Sequence, residues 1–271
     1  MEQDLKAISR QIREETARSI GSIGIGHIGG CLSLAEILAV LYFKHMNINP
    51  ENPHLAGRDR LVVSKGHAGP AVYAALALRG YFPKEELLTL NTSGTNLPSH
   101  CDMHKTPGID MTTGSLGQGF SCAVGIALAS RLSGDNATIF AIIGDGESQE
   151  GQIWEAAMYA GNQKLNRLIA FTDYNDMQID GNVSQINDVA PLEDKWRAFK
   201  WHTLVVDGHD IQALDSAVQS AKGQDKPTMI IARTIKGKGV SFVVSKGAGN
   251  HNMPFSKEDA QIALEELRRD L

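Results

Sequence analysis

The spacing of apolar residues along the chain predicts helices in its first part. Apolar side chains recur every three or four positions over residues 3 to 20, which predicts an amphipathic helix ahead of the glycine-rich stretch 21–30. Residues 32–42 are apolar on nearly every side and predict a buried helix, with Ser33 as its N-cap. Residues 47–60 carry Asn-Pro pairs and charges, so they are predicted to form a loop.

Further along the chain, short apolar runs rich in β-branched residues alternate with helical patterns. The predicted strands cover residues 61–63, 137–143, 168–171, 203–206 and 228–232. The predicted helices cover residues 70–78, 116–132, 153–160 and 211–221. This alternation predicts an α/β fold in which an open, mainly parallel sheet has helices on both faces. Since no repeat, low-complexity tract or linker interrupts the pattern, we expect residues 1–271 to form a single domain.

Composition and charge exclude several classes of protein. The chain has 271 residues, 42% of them hydrophobic, and a net charge of −5 without a long basic run, so nucleic acid is not an expected partner. The acidic N-terminus lacks the pattern of a signal peptide, and no apolar run approaches the roughly 20 residues of a membrane span. Cys31, Cys101 and Cys122 are widely spaced and form no Cys-x-x-Cys pair, which is typical of reduced thiols in a cytoplasmic protein.

A first glycine motif has the wrong context for a nucleotide site. Residues 24–29 satisfy G-x-G-x-x-G, which marks dinucleotide binding when a strand precedes it. Here a charged helical pattern precedes the motif, so it favours a tight connection between two helices.

A second glycine motif follows the apolar strand 137–143. Asp145 lies between Gly144 and Gly146, and Asn175 follows 30 residues later, after the next predicted strand. Because ligands bind at the carboxyl ends of parallel strands, we expect Asp145 and Asn175 to share one crevice. Carboxylate and amide oxygens are ligands for Mg²⁺ or Ca²⁺, and Mg²⁺ often completes its coordination with phosphate oxygens. A calcium loop of the EF-hand type is excluded because Gln178 stands where its glycine is required.

The Gly-Asp-Gly sequence with its later asparagine resembles the thiamin diphosphate motif. Over nearly its whole length the chain is similar to the N-terminal section of transketolases. The segments that carry this resemblance are residues 26–42, 59–81, 112–129, 144–161 and 234–242.

The resemblance implies a set of cofactor contacts. Asp145, Asn175 and the main-chain carbonyl of Met177 match the family's metal ligands, and Gly146 matches a contact to the diphosphate. The segment beside the aminopyrimidine is expected at Gly114, Ser115 and Leu116. Ser115 stands where some members have proline, which leaves a backbone contact available. The implied cofactors are thiamin diphosphate and Mg²⁺ (or Ca²⁺).

The resemblance also implies a catalytic histidine set. The positions that match active-site histidines, which contact the cofactor diphosphate or the oxygens of the sugar, are His27, His67, His100 and His251. His67 and His251 count among the cofactor contacts as well, and His104 in the same loop is an alternative to His100. The remaining histidines that we predict to lie at the surface are His45, His54, His202 and His209. Glu150 matches an acid that bridges to a second subunit, with an exposed carboxylate as the alternative.

The function implied is transfer of a two-carbon ketol unit from a ketose phosphate to an aldose phosphate. In the family, the glutamate that activates the aminopyrimidine lies in a pyrimidine-binding domain that follows the section seen here. The chain is therefore expected to be the N-terminal subunit of a split transketolase, inactive alone and assembled with a C-terminal subunit as α₂β₂. Pentose phosphates, a branched sugar phosphate and a sulfosugar all stay open as substrates.

Two alternatives differ from this expectation. A deoxyxylulose phosphate synthase-like enzyme shares the Gly-Asp-Gly sequence, but residues 64–67 and 112–119 resemble transketolase instead. A non-catalytic scaffold subunit would keep the fold and lose turnover. The retention of Asp145, Asn175 and the four matching histidines argues against that loss.

Overall fold

A five-stranded parallel sheet forms the centre of the computed structural model, which describes residues 4–269. The strands are β1 (Ile25–Gly26), β2 (Arg60–Val63), β3 (Ile139–Gly144), β4 (Leu168–Tyr174), β5 (Met177–Gln178), β6 (Gly181–Asn182), β7 (His202–Asp207), β8 (Thr228–Arg233) and β9 (Met253–Pro254). The central sheet has the order β2-β3-β4-β8-β7, and each neighbouring pair is parallel. The predicted parallel sheet is confirmed.

Helices cover both faces of this sheet. They are α1 (Leu5–Ile23), α2 (Ile28–Leu32), α3 (Ala35–Val40), α4 (Gly69–Arg79), α5 (Gln118–Ser133), α6 (Gly151–Asn162), α7 (Val183–Ile186), α8 (Leu192–Ala198), α9 (Ile211–Lys222), α10 (Ser241–Val244) and α11 (Lys257–Arg269). Within residues 4–269, none of these helices has the length and apolar character that crossing a bilayer requires.

Alternate residues of the central strands enter two separate apolar layers. Phe140 and Ile142 of β3 join the layer formed with α1 to α4 and α9. Ala141 and Ile143 point to the other layer, which contains α5, α6 and α8. Because successive side chains of a strand point to opposite faces, one continuous apolar run serves both layers.

The predicted helix over residues 32–42 is interrupted in the structure. Helix α2 ends at Leu32 and α3 begins at Ala35, with a turn between them. Ser33 is not the N-cap of a helix but follows the end of α2, which corrects its predicted role. Its hydroxyl donates to Asp173 Oδ2 at 2.7 Å and lies 3.2 Å from the Gly30 carbonyl oxygen. The turn thus carries a polar side chain from the helical layer to the end of β4.

The carboxyl ends of four strands meet along one edge of the sheet. The segments that directly follow β2, β3, β4 and β8 begin there, and Gly144 of β3 pairs with Asp173 of β4. The small antiparallel pair of β1 and β9 joins the first and last parts of the chain, and His27 and His251 lie next to those strands in the chain. Distant parts of the sequence therefore converge at this edge.

Candidate active site

A cleft of about 420 Å³ lies at the carboxyl edge of the sheet. Every predicted site residue except Ser115 lines it. Ser115 is exposed, between two neighbours that do line the cleft. Sequence positions as distant as 27 and 251 are therefore brought together as predicted.

Asp145 is a buried carboxylate that lines the cleft. It is 2% exposed, and its Oδ1 accepts a hydrogen bond from the Gly146 backbone N–H at 2.8 Å. Its Oδ2 accepts from the backbone N–H groups of Asn175 and Asp176 at 2.8 and 2.6 Å. No ion pair to Asp145 occurs among residues 4–269. Burial and the neighbouring Asp173 carboxylate raise the pKa of Asp145 to about 6. A cation bound at this carboxylate would offset that cost.

The other two predicted metal ligands lie in the same cleft. Asn175 Oδ1 accepts a hydrogen bond from the Met177 backbone N–H at 3.2 Å. The Met177 carbonyl oxygen accepts from Lys236 Nζ at 3.1 Å, so a cation already lies against one predicted ligand. In the part of the chain that the structure describes, no three His, Cys, Asp or Glu side chains are arranged to hold a metal. The donor set of one carboxylate, one amide oxygen and one carbonyl oxygen fits a hard divalent cation that keeps other positions for phosphate or water.

Two buried lysines also line the cleft, and our sequence analysis did not single them out. Lys65 Nζ lies 2.5 Å from Asp173 Oδ2 and 3.1 Å from the Gly30 carbonyl oxygen. Burial and the charge of Lys65 lower the pKa of Lys236 to about 8. Both lysines lie within segments that carry the family resemblance, and this was the available signal. They place two ammonium groups at the cleft, of which that of Lys65 is paired with Asp173.

Glu147 ties together three segments of the cleft wall. This buried carboxylate accepts hydrogen bonds from the Ser64 hydroxyl at 2.5 Å, the Gly117 backbone N–H at 2.8 Å and the Gly144 backbone N–H at 3.0 Å. It therefore fixes the loop that contains Gly114 relative to the ends of β2 and β3. Nothing in its sequence context distinguishes this role from that of an exposed turn residue.

The four predicted histidines form a cluster of imidazole rings. The His27 ring centroid lies 5.1 Å from that of His67, 5.6 Å from that of His100 and 5.3 Å from that of His251. Burial is the main cause that lowers the pKa of each ring, to about 4 for His27 and for His251. The lowered pKa favours the neutral form of each ring, which offers one N–H donor and one nitrogen acceptor.

The structure separates the clustered histidines from the others. His104 is exposed and lies outside the cleft, whereas His100 lines it. Three of the four histidines that we predicted at the surface are half-buried, because they contact neighbouring elements: His45, His202 and His209. His45 Nε2, for example, lies 2.7 Å from Asp215 Oδ1. Only His54 of that group is exposed.

Glycines keep two parts of the cleft open. Gly114 has φ +155°, and a Cβ there would lie 3.1 Å from His100 Cδ2. A Cβ on Gly30 would point toward His67 Nε2 at 3.6 Å and Lys65 Nζ at 3.7 Å. Side chains at these positions would occupy space between groups that face the cleft.

The fold and this cleft define a class of protein. A parallel sheet with Gly-Asp-Gly after one strand, asparagine after the next and lysines at the same edge is the arrangement expected of a thiamin diphosphate-binding α/β protein. Residues 5–268 match the family model for the thiamine diphosphate-binding domain of transketolase, and the chain belongs to this family.

Named relatives and a solved structure agree with this membership. The chain is 59% identical to a 6-deoxy-6-sulfo-D-fructose transketolase subunit of Clostridium sp., covering 98% of this chain and 97% of that one. It is 39% identical to an apulose-4-phosphate transketolase subunit of Actinobacillus succinogenes, covering 99% and 96%. The transketolase crystal structure from Campylobacter jejuni superposes with a TM-score of 0.91 at 32% identity, covering 97% of this chain and 42% of that chain. The chain thus spans less than half of that solved transketolase, and the predicted fold class and family are confirmed.

Proposed function

We propose that the chain is the N-terminal, cofactor-binding subunit of a two-subunit transketolase. With a C-terminal partner subunit it transfers a two-carbon ketol unit from a ketose phosphate to an aldose phosphate. The observation that carries this proposal is the buried Asp145 carboxylate, which has no cationic partner in the described chain and faces a cleft with two buried lysines.

The residues present fit thiamin diphosphate with Mg²⁺, or with Ca²⁺ in its place. Asp145, Asn175 and the Met177 carbonyl would hold the metal, and Gly146 and Lys236, which line the same cleft, would contact the diphosphate. Thiamin diphosphate supplies the electron sink for carbon–carbon bond cleavage when it is bound.

The loop Gly114–Leu116 is proposed to contact the aminopyrimidine. Gly114 and Leu116 line the cleft, and Ser115 would contribute through its backbone. The bonds from Glu147 to Ser64 and Gly117 support this role, because they fix the loop before the cofactor arrives.

The histidines are proposed to bind and to exchange protons with oxygen atoms. His251 Nδ1 lies 3.2 Å from Lys236 Nζ, and His67 and Lys65 face the same space beside Gly30. His67 and His251 would therefore contact the diphosphate, while His27 and His100 would contact the hydroxyl and carbonyl oxygens of the sugar. A neutral imidazole can accept a proton at one nitrogen while it donates at the other, which suits transfer at a sugar hydroxyl.

A separate partner chain is proposed to complete the site. Two subunit-type relatives match this chain over 96 to 97% of their own length, whereas the solved transketolase is more than twice as long. The exposed Glu150 on the rim of the cleft is available for contact with a second subunit, and we propose an α₂β₂ assembly. We also propose that the chain is a single domain, which the one five-stranded central sheet supports. We propose a cytoplasmic location, which the three free cysteines support.

The donor is proposed to be a ketose with an anionic terminal group. The 59% identical relative is named for 6-deoxy-6-sulfo-D-fructose and the 39% identical relative for apulose 4-phosphate. The sulfonated ketose is therefore the first donor to test, beside xylulose 5-phosphate and fructose 6-phosphate.

The test uses the chain co-expressed with a transketolase C-terminal subunit. With thiamin diphosphate, Mg²⁺ and an aldose phosphate acceptor, we expect ketol transfer by the complex, none by either chain alone, and none with Asp145→Ala. A well-formed complex that neither binds thiamin diphosphate nor turns over any of these ketoses would favour the scaffold alternative. Decarboxylation of pyruvate without ketol transfer would favour the deoxyxylulose phosphate synthase-like alternative.

A further inference from the structure

His209 connects two segments beside the cleft. It lies in the turn between β7 and α9, and its Nε2 accepts a hydrogen bond from the Ile235 backbone N–H at 2.9 Å. Its Nδ1 lies 3.0 Å from Glu36 Oε2. A backbone N–H can only donate, so Nε2 carries a lone pair and Nδ1 carries the proton that the carboxylate accepts. Both ring nitrogens of a neutral imidazole are thus engaged, and the ring can satisfy both partners in this tautomer only.

The Glu36 carboxylate that orients this ring is itself fixed. Arg13 donates from Nη1 and Nη2 to the two carboxylate oxygens, each at 2.6 Å, and from Nε to the Leu32 carbonyl oxygen at 3.1 Å. The side chains of Arg13, Glu36 and His209 are only 7 to 11% exposed. Burial raises the pKa of Glu36, but Arg13 and His209 outweigh it and lower that pKa to about 2. The carboxylate is therefore charged at all pH values at which the protein would work.

Residues 234–240 carry Lys236 into the cleft. His209 binds this segment at Ile235, and the Thr234 and Gly237 backbone N–H groups donate to carbonyl oxygens of other segments at 2.9 and 3.0 Å. Lys236 Nζ lies 3.1 Å from the Met177 carbonyl oxygen and 3.2 Å from His251 Nδ1. The preceding residue, Ile235, is 45% exposed, so apolar burial does little to fix its position. Its backbone N–H bond to the imidazole fixes the residue next to Lys236 instead.

The turn that contains His209 also packs closely against the start of this segment. The Gly208 backbone N–H donates to the Arg233 carbonyl oxygen at 2.8 Å. A Cβ on Gly208 would lie 2.5 Å from Thr234 Cγ2, so no larger residue fits there without a shift. These contacts fix the distance between the turn at Gly208 and the start of residues 234–240. The His209 imidazole therefore lies within hydrogen-bond distance of the Ile235 N–H.

We propose that His209 is a positioning residue for the cofactor site, an inference that rests on the function proposed above. Through the Ile235 N–H it holds residues 234–240 so that the Lys236 ammonium lies beside the proposed metal ligands. His209 does not line the cleft and would touch neither cofactor nor substrate.

Two substitutions separate the two bonds of the imidazole. His209→Asn keeps an amide donor near the level of Nδ1, facing Glu36, but its side chain is too short to reach the Ile235 N–H. His209→Gln places an amide oxygen near the level of Nε2, where it can accept that N–H. We expect His209→Asn to speed amide hydrogen exchange within residues 234–240 of the full chain. We also expect it to raise the Kd of the two-subunit complex for thiamin diphosphate, with Mg²⁺ present, by about tenfold, as loss of one such bond allows. His209→Gln is expected to stay within about twofold of wild type, because it restores the acceptor.

The outcomes distinguish this role from the proposed function. Wild-type exchange and wild-type affinity in His209→Asn would overturn the positioning role, as would a His209→Gln variant as weak as His209→Asn. A wild-type complex that binds no thiamin diphosphate would instead overturn the proposed function, whatever the variants do to exchange at Ile235. Nitrogen NMR of the wild-type chain tests the tautomer of His209 directly and does not depend on the folding of a variant. It should show His209 protonated at Nδ1 and not at Nε2, and a proton on Nε2 would contradict the inference.

Discussion

Asp145 and Asn175 are joined by a hydrogen bond from the Asn175 backbone N–H to Asp145 Oδ2 at 2.8 Å. They lie 30 residues apart in the chain, at the ends of the neighbouring parallel strands β3 and β4. The contact ties the Asp145 carboxylate to the Asn175 backbone, and both residues line the cleft at this edge of the sheet. Asp145 carries the negative charge of this pair, so replacing it is the most direct test of the proposed metal site.

Asp145→Asn removes that charge and keeps the shape of the side chain. The Asn oxygen can still accept from the backbone N–H groups of Asn175 and Asp176, so we expect the variant to fold. Its Mg²⁺-dependent affinity for thiamin diphosphate should fall at least about tenfold, because a carboxylate ligand is replaced by a neutral amide. Calorimetric titration of the two-subunit complex measures this change. Asp225→Asn, at an exposed carboxylate by the opposite edge of the sheet, is the matched control, and equal affinities in the two variants would contradict the metal site.

Lys236→Gln tests the positive charge in the cleft. The buried ammonium would form a charge-assisted hydrogen bond with the diphosphate, and its loss should cost roughly 2 kcal/mol, or about thirtyfold in the Kd for thiamin diphosphate. Lys238→Gln removes the same charge from the same segment outside the cleft and should leave that Kd nearly unchanged. Thiamin without phosphate should bind the wild type and Lys236→Gln equally, since it offers no diphosphate. A Lys238→Gln effect as large as that of Lys236→Gln would show a general charge effect instead.

The fold was predictable from the sequence because its strands are buried on both faces. A continuous apolar run such as residues 137–143 indicates a buried strand of a parallel sheet when helical patterns alternate with such runs. All five central strands lie where predicted. Helix α11 was not predicted, although Ala260, Ala263 and Leu264 are buried in the structure. Its short apolar face is interspersed with charged residues in the sequence, and packing against α1 buries it in the structure.

The candidate site was predictable in part, and the missing residues have a physical reason. Gly-Asp-Gly and a later asparagine carry a recognisable spacing, whereas Lys65 and Lys236 are common residues that only the fold brings to one cleft. His209 was predicted at the surface but is half-buried, although its neighbours Asp207 and Asp210 are exposed. Its partner Glu36 lies 173 residues away, and no local pattern reports such a contact.

The buried imidazoles should make the stability of the cofactor-free chain depend on pH. The pKa values of His27 and His251 fall from 6.5 to about 4 because of burial and nearby positive charge. Between these values the unfolded chain binds more protons than the folded one. The stabilisation is therefore complete above pH 6.5 and is lost as the pH falls toward 4. Urea unfolding at pH 7, 6, 5 and 4.5 measures the slope, and His251→Asn should make it shallower. An unchanged slope in that variant would contradict the lowered pKa of His251.

Glu36 should also make stability depend on pH, here through an acidic side chain and at lower pH than the histidines. Burial raises the pKa of Glu36, but the charge of Arg13 and the hydrogen bonds from Arg13 and His209 outweigh that effect and lower the pKa from 4.5 to about 2. A carboxyl group with a lowered pKa in the folded state contributes stability that is complete above its unfolded pKa and is lost as the pH falls through its folded pKa. The shift corresponds to roughly 3 kcal/mol, so Glu36→Gln should be less stable than wild type by about that amount at pH 7. The difference should begin to narrow below pH 4.5, where the unfolded wild-type chain takes up the proton. Urea unfolding of both proteins at pH 7, 5, 4 and 3 measures the difference, and Glu193→Gln, at an exposed carboxylate, is the control that should match wild type throughout. A constant difference between pH 5 and pH 3 would show that Glu36→Gln acts through shape and not through the charge that fixes His209.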